Sequence, residues 1–242
     1  MHINFTLGLL MGDGSFQINH WKKKYNQYRI CIKLKNKTDN ILMLKKIRNH
    51  HEGIGTLIVR KNYVLWAINH KKDLKWFLNE ILDNKFLNLK PLMKEKGLKM
   101  IYCINNNISY SEYRYLIEKE KKGEWLWPFN KPKKTKVIFD EGWNHWLAGF
   151  SEAESCFCVR LNGNQSYSIS QKDDLIIIES IKEFFDLPNK ILKKKCGTYV
   201  LETYNVKCCV NIINFFDKYK LLGDKLNSFH VFKKHVLSKQ QS

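Results

Sequence analysis

The sequence has no apolar run of the length, about 18 residues, that a membrane-spanning helix needs. Its seven cysteines include no C-x-x-C pair, which argues against a zinc ribbon, and their odd number argues against a disulfide framework. Its eight histidines show no H-E-x-x-H spacing of the kind that holds catalytic zinc. These absences argue against membrane proteins, disulfide-rich secreted domains and zinc hydrolases, and they favour a reducing compartment.

Acidic residues are also scarce, with 23 Asp and Glu against 42 Lys and Arg, which gives a formal net charge of +19. Such an excess is typical of a protein that binds a polyanion. The basic residues are spread along the chain among Asn, Gln, Tyr and Trp, which favours nucleic acid over a membrane surface. A hydrophobic content of 44% over 242 residues predicts a folded protein of one large or two small domains.

The sequence contains an internal duplication. Asp13 in "LLMGDGSF" has a counterpart in Glu154 of "GFSEAESCF". The segments "NKTDNILMLKKI" (36–47) and "NYVLWAIN" (62–69) are echoed, in the same order, by "QKDDLIIIESI" (171–181) and "TYVLETYN" (198–205). Two copies of one structural unit are the simplest explanation.

Each copy begins with a short apolar helix that ends on the acid and continues into strands. In "QYRICIKLK" (27–35), Tyr28, Ile30, Ile32 and Leu34 alternate with polar and basic residues, the pattern of a half-buried strand. The unit is therefore predicted to be α-β-β-α-β-β-α. The remaining predicted elements are a helix from Thr38 or Asp39, strands around 55–69, a helix from Asp73 to about Leu82, strands near 156–172 and 189–205, and a helix from Val206 to Tyr219.

The segment between the copies, 118–142, has a lysine-rich run and two of the four prolines, which is typical of a linker. We therefore predict an N-terminal half-domain at 1–117 and a C-terminal half-domain at 143–242.

The acids at the helix ends require an explanation, because a carboxylate is unfavourable at the negative end of a helix dipole. Small residues would let the two helices pack closely and bring the acids together; they are Gly8, Gly12, Ala148, Gly149 and Ala153. Two neighbouring carboxylates with no His or Cys suit a hard divalent cation such as Mg²⁺, and hence metal-assisted phosphodiester hydrolysis. The alternative, an ordinary G-D-G turn, does not explain why the arrangement occurs twice.

The segments "TLGLLMGDG" (6–14) and "LAGFSEAES" (147–155) resemble the two motifs of a single-chain LAGLIDADG homing endonuclease. The resemblance implies an α+β fold of pseudo-twofold symmetry, in which the motif helices form the interface between half-domains. Two saddle-shaped antiparallel sheets would straddle double-stranded DNA. It further implies a monomer that makes a double-strand break with short 3′ overhangs.

The resemblance also implies roles for individual residues. Asp13 and Glu154 would bind Mg²⁺, or Mn²⁺ or Ca²⁺ at the same sites, aided by the backbone carbonyls of Gly12 and Ala153. Polar residues at the strand ends would organise water, and lysines after the third helix of each half would stabilise charge on the phosphate; these are Asn36, Gln171, Lys90 and Lys225. Two departures from the family pattern are Ser155, in place of a glycine that eases the helix-to-strand turn, and Met11, in place of a polar residue.

The outward strand faces would contact DNA, with affinity that falls steeply with salt. The predicted contact residues are Gln17, Asn19, Arg29, Lys33, Lys35 and Arg60 in the first copy, and Arg160, Ser168, Ser170 and Lys194 in the second. Two alternatives remain open: a maturase that binds intron RNA, alone or in addition, and a DNA-binding regulator without catalysis. The composition, rich in Lys, Asn and Ile, suggests an organellar, mitochondrial intron as the source.

Overall fold

The computed structural model describes residues 2–82, 91–130 and 137–240. It consists of two similar α+β halves, each with one antiparallel four-stranded sheet. The first half contains α1 (Ile3–Asp13), β1 (Gly14–Trp21), β2 (Tyr25–Lys35), α2 (Thr38–His50), β3 (Thr56–Val59), β4 (Tyr63–Ile68), α3 (Lys71–Leu82), α4 (Pro91–Asn105) and α5 (Tyr110–Lys121). The second contains α6 (Glu141–Glu154), β5 (Ser155–Val159), β6 (Gln165–Lys172), α7 (Leu175–Phe184), β7 (Leu192–Lys193), β8 (Thr198–Thr203), α8 (Val206–Lys218) and α9 (Lys225–Gln240). The predicted duplicated unit is confirmed.

The two sheets have the same strand order, β1-β2-β4-β3 and β5-β6-β8-β7. The predicted alternation in β2 is also confirmed, because Tyr28, Ile30 and Ile32 are buried while Arg29 and Lys33 are exposed. One face of each sheet thus packs against helices, and the other face points away from the core.

The helices α1 and α6 pack against each other at the boundary between the halves. A Cβ atom at Gly8 would lie 1.9 Å from the carbonyl oxygen of Trp146, and one at Gly149 would lie 1.9 Å from that of Phe5. Only glycine allows backbones to approach so closely. Because α1 is covered on all sides, it is apolar all round and buried from Asn4 to Met11.

Three helices were not predicted from the sequence: α4, α5 and α9. The last turn of α5 covers residues 118–121, and α6 begins at Glu141, so both ends of the predicted linker are helical. Within it, Trp127 is buried and its ring contacts that of Tyr102 in α4 at 5.5 Å. In the part of the chain that the structure describes, no helix is both long and apolar enough to span a membrane.

The pairing of the strands corrects the alignment of the two copies. Gly14 and Ser155 follow the two acids, and they pair with Ile32 and Ile169. These residues pair in turn with Trp66 and Leu201. The structure therefore matches Trp66 with Leu201. The similarity of "NYVLWAIN" and "TYVLETYN" instead aligns Leu65 with Leu201, so the two alignments differ by one residue. A shift of one residue reverses which side chains face the core, so Tyr63 and Tyr199 lie on opposite faces.

Candidate functional site

The motif helices α1 and α6 end in the same backbone conformation. Gly14 and Ser155, the residues after the two acids, both have φ −85° and ψ 159°. Their N–H groups donate to the carbonyl oxygens of Leu10 and Ser151, respectively. The chain therefore turns from helix to strand in the same way at Asp13 and at Glu154.

Ser155 does not disturb this turn. Its φ of −85° is ordinary extended backbone, so the conformational freedom of glycine is not needed there. Its hydroxyl donates to the carbonyl oxygen of Ser151 at 2.6 Å and so adds a second hydrogen bond to the carbonyl that already accepts one from the N–H of Ser155. The serine therefore caps the helix that carries Glu154.

The two helix ends are in contact. A Cβ atom at Gly12 would lie 2.3 Å from the Cβ of Ala153 and 3.4 Å from Oε1 of Glu154. The backbone before Asp13 thus lies directly against the side chain of Glu154, and the structure brings the four predicted cation ligands to one place. Among the described residues, no group of three or more His, Cys, Asp or Glu side chains is arranged so that it could hold a metal ion. The two carboxylates and the neighbouring backbone carbonyls form an oxygen-only donor set, which fits a hard divalent cation.

Asp13 borders an open cavity of about 370 Å³ whose other charged groups are mainly lysines. Lys33, Lys35 and Lys225 line this cavity, together with Glu152 and Asp224. Although the Asp13 side chain is exposed, the protein around it removes enough water to raise its pKa, while the charge of nearby Lys225 lowers it. The cavity therefore combines three acidic side chains with three lysines, and the lysines supply the positive charge that would face a phosphate group.

Glu152 is a residue of this site that the sequence analysis missed. It is 8% exposed, and its Oε1 accepts hydrogen bonds from the N–H groups of Leu222 at 2.5 Å and Gly223 at 2.8 Å. Burial raises the pKa of this carboxyl to about 6, although the two hydrogen bonds lower it. The signal in the sequence is a second acid two residues before Glu154, in "SEAES". Glu152 holds the loop that leads to Lys225.

The same loop is bound from the other half of the protein. Oδ1 of Asn40 accepts a hydrogen bond from the N–H of Asp224 at 3.0 Å, and Lys37 forms a 2.9 Å ion pair with Asp224. Asn227 donates to Asp39 at 2.8 Å. Lys225 is therefore fixed where the two halves meet, near Asp13 of the opposite half.

The other predicted catalytic residues lie elsewhere or have other partners. Asn36 donates to the carbonyl oxygens of Arg60 at 2.8 Å and Lys61 at 3.3 Å, in the turn between β3 and β4. Gln171 is buried, and its Oε1 accepts a hydrogen bond from the N–H of Lys172 at 2.9 Å. The strand pairing matches Gln171 with Leu34, so Asn36 and Gln171 are not equivalent positions. Lys90 lies outside the described residues.

The predicted DNA-contacting residues lie on or beside the sheet faces that point away from the core. In the first half, Gln17 is opposite Arg29 in the strand pairing, and the ammonium group of Lys33 lies 4.3 Å from the ring centre of Tyr63. In the second half, the strand pairing matches Ser166 and Ser170 with Arg29 and Lys33, and Ser168 lies between these serines on the same face. Asn19, Lys35, Arg60, Arg160 and Lys194 are exposed at the strand ends or the adjoining loops. The first face is therefore the more basic of the two.

Comparisons with known proteins agree with this geometry. A family model described as LAGLIDADG endonuclease matches residues 6–100 and 147–236. The chain is 35% identical over 236 residues to "Probable intron-encoded endonuclease aI3" of Dictyostelium citrinum, covering 95% of this chain and 93% of that protein. The protein of the same name in Dictyostelium discoideum is 28% identical, with coverage of 95% and 94%.

Solved structures show the same fold. The LAGLIDADG meganuclease I-CpaMI bound to uncleaved DNA aligns with a TM-score of 0.80 and 21% identity, over 100% of this chain and 93% of that one. The homing endonuclease I-GzeII in complex with its DNA target aligns with a TM-score of 0.79 and 20% identity, over 100% and 91%. The predicted α+β architecture is thus confirmed.

Proposed function

Because this chain belongs to the LAGLIDADG endonuclease family, we propose that it is a homing endonuclease that cuts both strands of DNA at one long, asymmetric site. The observation that carries this proposal is the contact between the two acid-bearing helix ends, where Gly12 touches Ala153 and Glu154. One acidic group per half at a pseudo-twofold axis suits the hydrolysis of one phosphodiester bond in each strand. The products would carry short 3′ overhangs.

The residues that would hold a divalent cation, Mg²⁺ in our proposal, are Asp13 and Glu154 with the carbonyls of Gly12 and Ala153. Such a cation supplies an activated water and stabilises negative charge on the phosphate. Lys225 would place its positive charge near the phosphate, because the bonds from Glu152 and Asn40 hold the start of α9. Lys33 and Lys35 line the same cavity and would hold the backbone of the bound strand.

The outward faces of the two sheets would each contact one half of the DNA site. Their residues differ, with Arg29 and Lys33 on the first and serines on the second, which supports an asymmetric target. The single chain contains both halves, so we propose that it acts as a monomer. Because lysines and arginines on these faces would contact phosphates, affinity should fall linearly with the logarithm of salt concentration.

We propose a mitochondrial intron as the genetic source, since one relative is a cox1 intron protein of Schizosaccharomyces pombe that is 24% identical over 262 residues. Several other relatives are named as intron-encoded endonucleases. These names favour DNA cleavage over the maturase alternative.

The test is selection of cleaved sequences from a randomised DNA library in Mg²⁺, repeated with Asp13→Asn and Glu154→Gln. The unaltered protein should enrich one site, and each variant should lose double-strand cleavage of that site by more than about 100-fold while still binding it. Glu179→Gln, a change at an exposed acid on α7, serves as the matched control and should cleave normally. Normal cleavage by both Asp13→Asn and Glu154→Gln would refute the proposed site.

A further inference from the structure

Arg160, just after β5, is held by two side chains from the end of β8. Its Nη2 lies 3.3 Å from Oε1 of Glu202 and 3.1 Å from the hydroxyl of Tyr204, to which it donates. The guanidinium group also lies 5.2 Å from the ring centre of Tyr204, over its face. A flexible exposed arginine is thus fixed in one orientation, with its Nη1 and Nε groups left to donate elsewhere.

This cluster lies on the outward face of the second sheet. Cys156 pairs with Ser168, which pairs with Glu202, and these three residues alternate with the buried Phe157, Tyr167 and Leu201. Glu202 therefore projects on the side that would meet DNA. A carboxylate there repels phosphates, so its presence needs a role other than general affinity.

Stability is not a sufficient role for the pair. The side chains of Arg160 and Glu202 are 48% and 28% exposed, and ion pairs this exposed contribute little to folding. What the pair does provide is a donor beside an acceptor. In the major groove, a G·C pair presents the complementary pattern, with the O6 and N7 acceptors of guanine and the N4 donor of cytosine.

The first half has a counterpart at the matching place. Nε of Arg29 donates to Oδ1 of Asn69 at 2.8 Å. The strand pairing that matches Trp66 with Leu201 also matches Asn69 with Tyr204. In each half, the residue at this sheet position, Asn69 or Tyr204, therefore bonds one arginine. The arginines come from different strands, Arg29 from β2 and Arg160 from the end of β5. Lysines are less suited to such recognition, because an ammonium group is a point charge on a flexible chain and lacks the planar set of donors that a guanidinium presents.

On the basis of the proposed function, we propose that Arg160, held by Glu202 and Tyr204, reads one guanine in the half-site bound by the second sheet. Glu202 and Tyr204 are positioning residues, and Glu202 also faces the N4 group of the paired cytosine. Arg160 lies five residues beyond Ser155, about 17 Å along an extended chain. With a rise of about 3.4 Å per nucleotide, a residue this far from the acids would contact a base several pairs away from the scissile phosphate.

The test compares base preferences, measured by deep sequencing of cleaved libraries, for the unaltered protein and for Arg160→Ala, Glu202→Gln and Tyr204→Phe. Arg160→Ala should lose roughly 10- to 100-fold of the discrimination at one G·C pair and leave the other positions unchanged. Glu202→Gln and Tyr204→Phe should weaken the preference at the same pair. Arg114→Ala is the matched control, because Arg114 also forms an exposed ion pair, with Glu118 at 3.4 Å, but lies on α5 and not on a sheet face.

A chemical probe isolates the contact itself. Replacing that guanine with 7-deazaguanine removes N7 and should lower binding by the unaltered protein, but should not lower binding by Arg160→Ala any further. An even loss of binding across all sequences by Arg160→Ala would show a phosphate contact and overturn the inference, as would an unchanged preference at every position. If the unaltered protein neither binds nor cuts any library DNA, the proposed function itself fails.

Discussion

The contact between α1 and α6 allows a specific prediction about stability and cleavage, because the backbones of the two helices touch at Gly8 and Gly149 without side chains between them. In Gly8→Ala, the new Cβ would lie 1.9 Å from the carbonyl oxygen of Trp146 and 2.6 Å from the backbone nitrogen of Phe150. A relaxed contact between carbon and oxygen needs about 3.3 Å. Since neither partner is a movable side chain, the helices must separate by more than about 1 Å.

The magnitude follows from two opposing effects. Overpacking a tight core costs about 1–3 kcal/mol, and a clash with backbone atoms belongs at the upper end of that range. Alanine is a better helix former than glycine and returns about 1 kcal/mol. We therefore expect Gly8→Ala, and likewise Gly149→Ala, to lower the free energy of unfolding by about 2 kcal/mol. Because one separation of the helices relieves both clashes, the double variant should lose less than the sum of the single variants.

The same displacement should reach the active site, because the helix ends carry Asp13 and Glu154. A misplacement of about 1 Å can lower a catalytic rate by about 100-fold. Urea unfolding and plasmid cleavage at saturating DNA would measure the two effects. The control is Gly97→Ala in α4, whose Cβ would meet only side-chain atoms, at 3.2 Å from Leu78 and 3.3 Å from Phe16. This control should change stability by less than about 1 kcal/mol and leave cleavage intact.

Unchanged urea midpoints and cleavage rates in both Gly8→Ala and Gly149→Ala would refute the reasoning. They would mean that the two helices do not approach as closely as described. A loss of stability without a loss of cleavage would separate the packing argument from the catalytic one, and it would disprove the link between helix spacing and the position of the acids.

Two further predictions concern the charge of Glu152 and the β1–β2 turn. The pKa of Glu152 is raised from 4.5 to about 6, so its contribution to stability is full below pH 4.5 and lost as the pH rises through 6. Between pH 4.5 and 7.5, the free energy of unfolding of the unaltered protein should therefore fall by about 2 kcal/mol relative to that of Glu152→Gln, whose amide oxygen can still accept hydrogen bonds. If urea unfolding shows the same change in both proteins between these two pH values, the prediction is wrong. In the β1–β2 turn, Lys22 and Lys23 have left-handed φ values of 49° and 56°. Lys22→Asn with Lys23→Gly should raise the free energy of unfolding by about 1 kcal/mol, because asparagine and glycine adopt left-handed backbone at lower cost than lysine. An unchanged or lower free energy of unfolding, measured with urea, would count against strain in this turn.

Features that depend on local patterns were predictable from the sequence. Alternation in 27–35 gave the exposed and buried faces of β2, because side chains of a strand alternate whatever it packs against. Small residues in both motif helices predicted a close approach, and Gly8 and Gly149 provide it. The match of the acids, Asp13 and Glu154, followed from the order of the repeated segments.

Features that depend on contacts between distant segments were not. Similar letters in "NYVLWAIN" and "TYVLETYN" suggested a match that the strand pairing shifts by one residue, because hydrogen bonding between strands, and not sequence similarity, sets the register. The role of Glu152 was not predictable because its hydrogen-bond partners lie in a loop 70 residues later in the chain. The helices α4, α5 and α9 were not predicted because they lie outside the repeated unit.

The sequence by itself determined the duplicated α+β unit, the two acids and the basic outward faces, because each of these depends on residues that are close together in the chain. Only the tertiary structure decided which residues surround the acids. Glu152 lines the cavity beside Asp13, and on the outward face of the second sheet Glu202 meets Arg160 across the one strand between them, β6. Such neighbours depend on how whole helices and strands pack together. The free energy of this packing is shared among many contacts, so no single residue in the sequence indicates which distant residues it will meet.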